Sequence, residues 1–159
     1  MPANWSTPKN WNVGELLIAN DFNAQLRDNM EWLKSRPFNT LTISSTTTTA
    51  TSFAPVTGSS VSLSSVGGNM LIVFVGTVSN SSAGFITTLD LAIDGGRQGN
   101  STTGLIAVQT PVANYTDGVC MAFLTSTPPS LGSHAYTVHW KVSAGTATLF
   151  GQLFVMEVR

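Results

Sequence analysis

Apolar residues recur along this chain at two different periods. Between residues 20 and 35 they fall at Phe22, Leu26, Met30 and Leu33, spacings that place all four on one face of a helix. Asn20 or Asp21 can cap its first turn, because either side chain can accept from the free backbone N–H groups there. Lys34 and Arg36 sit at the negative end of the helix dipole, and Pro37 stops the helix. From residue 61 the period drops towards two. Val61 and Leu63, with Val66 beyond them, mark one strand face. Leu89, Leu91 and Ile93 alternate with Asp90, Ala92 and Asp94, and His134, Tyr136, Val138, Trp140 and Val142 share a face. The stretch NMLIVFVGTV at 69–78 is continuously apolar, which predicts a strand buried on both faces. Polar separators (GNSTTG, TPVANYTDG, STPPSLGS, SAG) read as loops, and Asp94-Gly95-Gly96 as a tight turn. The pattern gives about eight strands with turns every ~8–14 residues. That predicts an all-β fold, an antiparallel β-sandwich or jelly roll. An extended N-terminal arm carrying Pro2, Pro8 and Gly14 and one short α-helix precede it.

Charge divides the chain at the same place. Lys9, Glu15, Asp21, Arg27, Asp28, Glu31, Lys34 and Arg36 all lie in residues 1–40, with three of the four tryptophans. Residues 41–159 are mostly Ser, Thr, Gly and apolar, with Thr46–Thr49 low in complexity; Thr-rich sequence disfavours helix and tolerates strand. The expected division is therefore an arm and helix at 1–40 and a β-domain at 41–159. Only 9% of the whole chain is charged, against ~25% in ordinary domains. A surface so poor in charge is either covered by neighbours or kept soluble by hydroxyls. The net charge of −1 gives no reason to expect nucleic acid as a partner. The longest apolar run, Met70 to Val75, is far short of the ~20 residues that span a bilayer, so membrane insertion is not expected. MPANWSTPKN lacks the apolar stretch of a secretion signal, which predicts synthesis in a cytoplasm.

Trp5 and Trp11 cannot both be buried by so short an arm and need a surface to dock on. The Phe22, Leu26, Met30 and Leu33 stripe must also pack, either in a bundle with its own copies or on its own β-domain. These six residues are the candidates for attachment and oligomerisation. Little else suggests chemistry. No nucleophile motif occurs, and Cys120 in GVCMAFL reads as a small buried hydrophobe. His134 and His139 are separated by an odd number on one strand and so face opposite ways, unsuited to a shared metal. Asp94 and Asp117 precede glycines and read as turn formers, with a shared calcium site as the remote alternative. Neither metal nor cofactor is expected, and the chain does not read as an enzyme. Tyr115, beside Asp117 in ANYTDG, has two readings: a sugar-stacking loop aromatic, or a tyrosine folded over the sandwich end.

Two segments carry resemblances. Trp11, Gly14, Leu17, Ala19, Asp21, Asn23, Leu26, Arg27, Asp28 and Asn29 form the pattern W-x-x-G-x-x-L-x-A-x-D-x-N-x-x-L-R-D-N. It resembles the N-terminal segment of many small bacteriophage virion proteins, often tail-fibre or other structural proteins. The C-terminal stretch LGSHAYTVHWKVSAGTATLFGQLFVMEV resembles the closing strands of trimeric jelly rolls of the C1q/TNF-like kind. Together these imply a non-enzymatic virion structural protein, made in the host cytoplasm. It would be a homotrimeric knob anchored through its arm to other virion proteins of capsid or tail. Its role would be capsid decoration or head fibre, or tail-fibre adhesion to a host surface glycan or protein. The short stalk, without collagen-like or long coiled-coil repeats, favours a compact knob close to its attachment point. The alternative is a soluble C1q/TNF-like module that binds protein or carbohydrate.

Overall fold

The computed structural model describes residues 9, 10, 12–16, 18–30 and 36–158. The chain forms two compact units, Met1–Arg36 and Pro37–Arg159.

In the first unit a turn at Asn12–Glu15 leads into a helix. Glu15 donates its N–H to Asn12 O at 3.0 Å, and Gly14 takes the positive φ (+82°) that a Cβ would resist. The helix begins at Ala19, with Ile18 at the capping position and no side-chain cap. Asn20 and Asp21 therefore lie inside the first turn rather than before it. Asp21 is still used: it and Glu15 clasp the Lys9 ammonium at 2.8 and 2.5 Å. After the α-helical turn Ala19–Phe22 (α1) the backbone widens to a π-helical stretch at Asn23–Asp28, where the rungs run i to i+5. The stripe expected from a regular helix is accordingly distorted. Leu33 lies outside the described residues.

The second unit is a sandwich of antiparallel strands. One sheet contains β1 (Phe38–Thr48), β4 (Asn69–Asn80), β8 (Thr116–Leu124) and β10 (Ala147–Val158), in the order β1-β10-β4-β8. In the other, β2 (Ala54–Pro55) and β3 (Val61–Ser65) share one edge of β9 (Gly132–Val142). On the far side β9 pairs with β5 (Ile86–Ile93), whose free edge is taken by β6 (Gly96–Arg97) and β7 (Ile106–Gln109). The chain passes from one sheet to the other at almost every long connection, which is the jelly-roll winding. Phe38–Thr40, which composition grouped with the arm, are the first residues of β1.

The inner faces supply the core. Met70, Ile72, Phe74, Val78, Leu149, Leu153 and Val155 from the first sheet meet Leu89, Leu91, Tyr136, Val138, Trp140 and Val142 from the second. Phe74 lies across paired glycines: a Cβ on Gly76 would fall 2.7 Å from its Cζ, and one on Gly151 2.7 Å from its Cε2. Two sequence expectations fail on the first sheet. The run 69–78 is buried on one face only: Val75 is 54% exposed, and Leu71 and Val73 are half-buried. Cys120 is exposed, because in β8 the inward places go to Val119 and Met121.

Candidate functional site

Three features of the β-unit could carry function, and the alternation of its strands positions all three. The first is a cleft of about 320 Å³ at one end of the sandwich, walled by Ile93, Asp94, Gln98, Phe123 and the 125–129 segment. Asp94 and Gly95 form the two-residue turn between β5 and β6, both with positive φ (+49° and +80°), as the Asp-Gly pair predicted. Asp94 accepts the N–H of Ala135 at 2.8 Å and stands 2.6 Å from His134 Nδ1. The other ring nitrogen, Nε2, is 2.8 Å from the carbonyl oxygen of Ser130. A carboxylate and a carbonyl both need a donor, so the ring satisfies both only as imidazolium. Hydrogen bonding to Asp94, then to Ser130, raises the His134 pKa above its usual value. The same bond holds the Asp94 carboxyl below the usual carboxylate range.

The second feature lies on the outer face of the other sheet. Asp90, fully buried, accepts from the N–H groups of Leu91 and Gly99 at 2.8 Å each and from Arg97 Nη1 at 3.0 Å. Arg97 also bonds the carbonyl of Ser101 and lies 3.8 Å from the Phe53 ring centre. Lys141 approaches the same ring, at 4.7 Å. The 98–105 strap is thereby pinned across β5. A Cβ at Gly99 would fall 2.8 Å from Asp90 Oδ1, and Gly104 sits against the backbone of Leu89. His139 is Asp90's cross-strand neighbour, and burial pushes its pKa down. The two histidines thus face opposite ways, as their spacing predicted. Asp90 and Arg97 went unrecognised because a charge on the outward register of an edge-near strand reads as solvated; nothing in the sequence announces the strap that covers it.

The third feature is the outward face of the first sheet. Its register brings Phe38, Met156, Leu71 and Leu124 into one row and Phe154, Val73 and Ala122 into the next, with Val75, Cys120 and Phe150 following. Phe38 and Phe154 stack with centroids 6.3 Å apart. Asp117 and Glu157 take the inward register, so no outward position of these strands is charged. Glu157 caps the β3–β4 turn, accepting from Val66 N at 2.8 Å and from Gly68 N.

The residues singled out by sequence are placed as follows. Tyr115 is 52% exposed, following a loop in which Asn114 takes φ +61° and donates its N–H to Asn80 O. Asp117 is half-buried in β8, near the opposite end from Asp94: Phe123 and Thr125 line the Asp94 cleft, and Asp117 lies six positions before Phe123 on the strand. That is roughly 20 Å at strand rise, so the two aspartates share no site. Among the described residues no group of three His, Cys, Asp or Glu could hold a metal ion. Phe22, Leu26 and Met30 are exposed, and Trp5 and Trp11 lie outside the described residues. No helix among the described residues is long and apolar enough to cross a membrane.

No family model matches the chain, and no curated protein matches it. Solved structures do. A chain in the structure of infectious bursal disease virus, Gx strain, aligns over 77% of this chain and 32% of its own length, with TM-score 0.50 and 14% identity. The VP2 subviral particle of the same virus aligns over 77% of this chain and 33% of its own, with TM-score 0.44 and 16% identity. A CBM36-1 domain of a multidomain xylanase, from the hindgut metagenome of Trinervitermes trinervoides, aligns over 77% of this chain and 98% of its own, with TM-score 0.44 and 10% identity. The chain thus spans about a third of the viral chains it matches. At these identities the likeness is one of fold.

Proposed function

We propose that the chain is a non-enzymatic structural protein of a bacteriophage particle. Residues 37–159 form a homotrimeric jelly-roll knob, and residues 1–36 attach it to the particle, as capsid decoration or as a tail-fibre knob. The observation that carries this reading is an imbalance of burial. The β-unit closes its own core, whereas Val13, Leu16, Ile18, Phe22, Leu26 and Met30 of the first unit are 46–108% exposed. Apolar residues exposed along a charged arm and its helix are what a docking segment looks like before it docks. The jelly-roll fold shared with a virus-particle chain supports the reading, as does the arm's resemblance to phage virion proteins. Exposed Tyr115 keeps a contact with a host glycan or protein within the same role.

The test is particle assembly with the full chain and with residues 37–159 alone. The shorter chain should fold cooperatively, since the described core residues all come from its own strands and loops, and should be missing from purified particles. A truncated chain that still enters particles would overturn the attachment role. Electron microscopy of particles carrying the full chain then decides between capsid and tail.

A further inference from the structure

We infer that the outward face of the β1-β10-β4-β8 sheet is the contact between copies of this chain, three such faces converging on the trimer axis. The inference deepens the trimeric reading above and rests on it for the number of copies, but the face is chosen on independent grounds.

Strand alternation normally gives an antiparallel sheet one apolar face and one polar face. Here both faces are apolar. Outward on the first sheet are Phe38, Phe150, Phe154, Met156, Leu71, Val73, Val75, Ala122 and Leu124, with uncharged threonines, Gln152, Cys120 and, towards the strand ends, Asn69 and Ser79 between and beside them. Phe38 is 65% exposed, and Val75, Leu124 and Phe150 are each 54% exposed. Four strands ~4.8 Å apart and about six residues long make a face roughly 20 Å on each side. Its projected area is therefore on the order of 400 Å², within the ~300–600 Å² of the largest patches on monomers, which are commonly functional. A partner in a standard interface contributes ~800 Å², so this face supplies the apolar centre and the flanking loops the polar rim.

Charge selects the occupant. Copies packed about a symmetry axis set identical groups near one another, so any charge on the shared face would meet its own kind. This face carries none, although the opposite sheet has Asp90, Arg97, His139 and Lys141 on its outer side. A partner surface with charges would have to bury them without counter-ions. The copy is the partner whose surface matches: flat, apolar and uncharged. Burial in the trimer also restores the two-sided burial that the run from Met70 to Val75 encodes.

Cys120, the chain's single cysteine, lies on this face and reports on it. The full chain should run by light scattering at three times its 16.8 kDa mass. Its thiol should react with a water-soluble disulfide reagent at least tenfold more slowly than in the denatured chain, and this protection should vanish on dilution to monomer. Val75→Lys, and separately Leu124→Lys, should give monomers with wild-type circular dichroism and an open thiol. Ser101→Lys, exposed on the strap of the other sheet, should remain trimeric. A trimer whose Cys120 reacts freely, or one that survives both lysine substitutions, overturns the assignment while leaving the trimeric reading intact. A wild-type chain that is monomeric yet enters particles overturns the copy contact and leaves the attachment role standing.

Discussion

His134 Nδ1 stands 2.6 Å from Asp94 Oδ2 while its Nε2 lies 2.8 Å from the Ser130 carbonyl oxygen. The pair ties the β8–β9 loop to the β5–β6 turn across one end of the sandwich. His139, on the same strand, has the opposite environment: it is buried beside Asp90 and Arg97 and favours its neutral form.

These two histidines should give opposite responses to pH. The His134 pKa is raised by its bond to Asp94, so its contribution to stability is fully present below the unfolded value near 6.5. That contribution fades as pH rises through the folded value. Asp94 is lowered, so its share is present above about pH 3.8 and fades only at lower pH. The His139 pKa is lowered, chiefly by burial, so its contribution holds above about 6.5 and is lost as pH falls through the folded value. The Tyr136 phenol, pushed up to about 12 by burial and then by Asp94 and Glu157, does not titrate in this range. Melting curves from pH 4.5 to 9 should show His134→Ala costing most between pH 4.5 and 6.5 and least at pH 9. His139→Gln should flatten the acid side of the curve. Parallel losses at every pH would show that neither ring titrates as described.

Asp90→Ala should be among the most damaging single changes in the β-unit. The carboxylate is fully buried and holds Arg97 and the N–H of Gly99. Its loss leaves the guanidinium without its counter-ion under the strap, which typically costs about 3–5 kcal/mol. Denaturant unfolding should show the loss, and hydrogen exchange should speed up selectively at Gly99, whose N–H loses its acceptor. A cost below ~1 kcal/mol would mean that the pair is exchanged for water without penalty.

How far the sequence revealed these features depends on whether each is local. Alternation in 89–93 and 134–142 placed Leu89, Leu91, Tyr136, Val138 and Trp140 on the inner face correctly, because strand period is a property of the chain itself. The Asp94-Gly95 turn was equally legible, since few residue pairs tolerate two successive positive φ values. What covers a face is not local. Asp90 was legible only as an outward position of the alternation, yet it lies under a strap contributed by residues 98–105, and Cys120 looked buried but faces outward. The apolar run 69–78 has one face in water because nothing within its own β-unit packs there. The helix starts at Ala19, and Asp21 inside its first turn pairs with Lys9, twelve residues earlier, a contact that spacing alone cannot show.

Gly76→Ala should destabilise the chain although it adds one methyl group. Gly76 and Gly151 face each other across β4 and β10, and the Phe74 ring lies over both. A Cβ at Gly76 would fall 2.7 Å from Phe74 Cζ and closer still to the carbonyl oxygen of Phe150. The ring cannot move without opening the core, so overpacking of about 1–3 kcal/mol is expected. Gly118→Ala, where a Cβ would meet nothing within 4 Å, should be nearly silent. Equal effects at the two positions would refute the steric account.

Trp140→Ala tests the centre of the sandwich. Trp140 is 2% exposed, pairs with Leu89 on one side and Ala54 on the other, and lies on the inner face with Val138 and Val142. Truncation would leave a cavity between the sheets that neighbours on two hydrogen-bonded strands cannot close, at a cost of about 3–5 kcal/mol. Trp140→Phe should cost less, because much of the volume remains. Chemical denaturation at one fixed protein concentration measures both, the fixed concentration being needed because self-association adds to apparent stability. A loss below ~1 kcal/mol for the alanine variant would place the indole in solvent. Since that face is where the two sheets meet, such a result would contradict the sandwich itself.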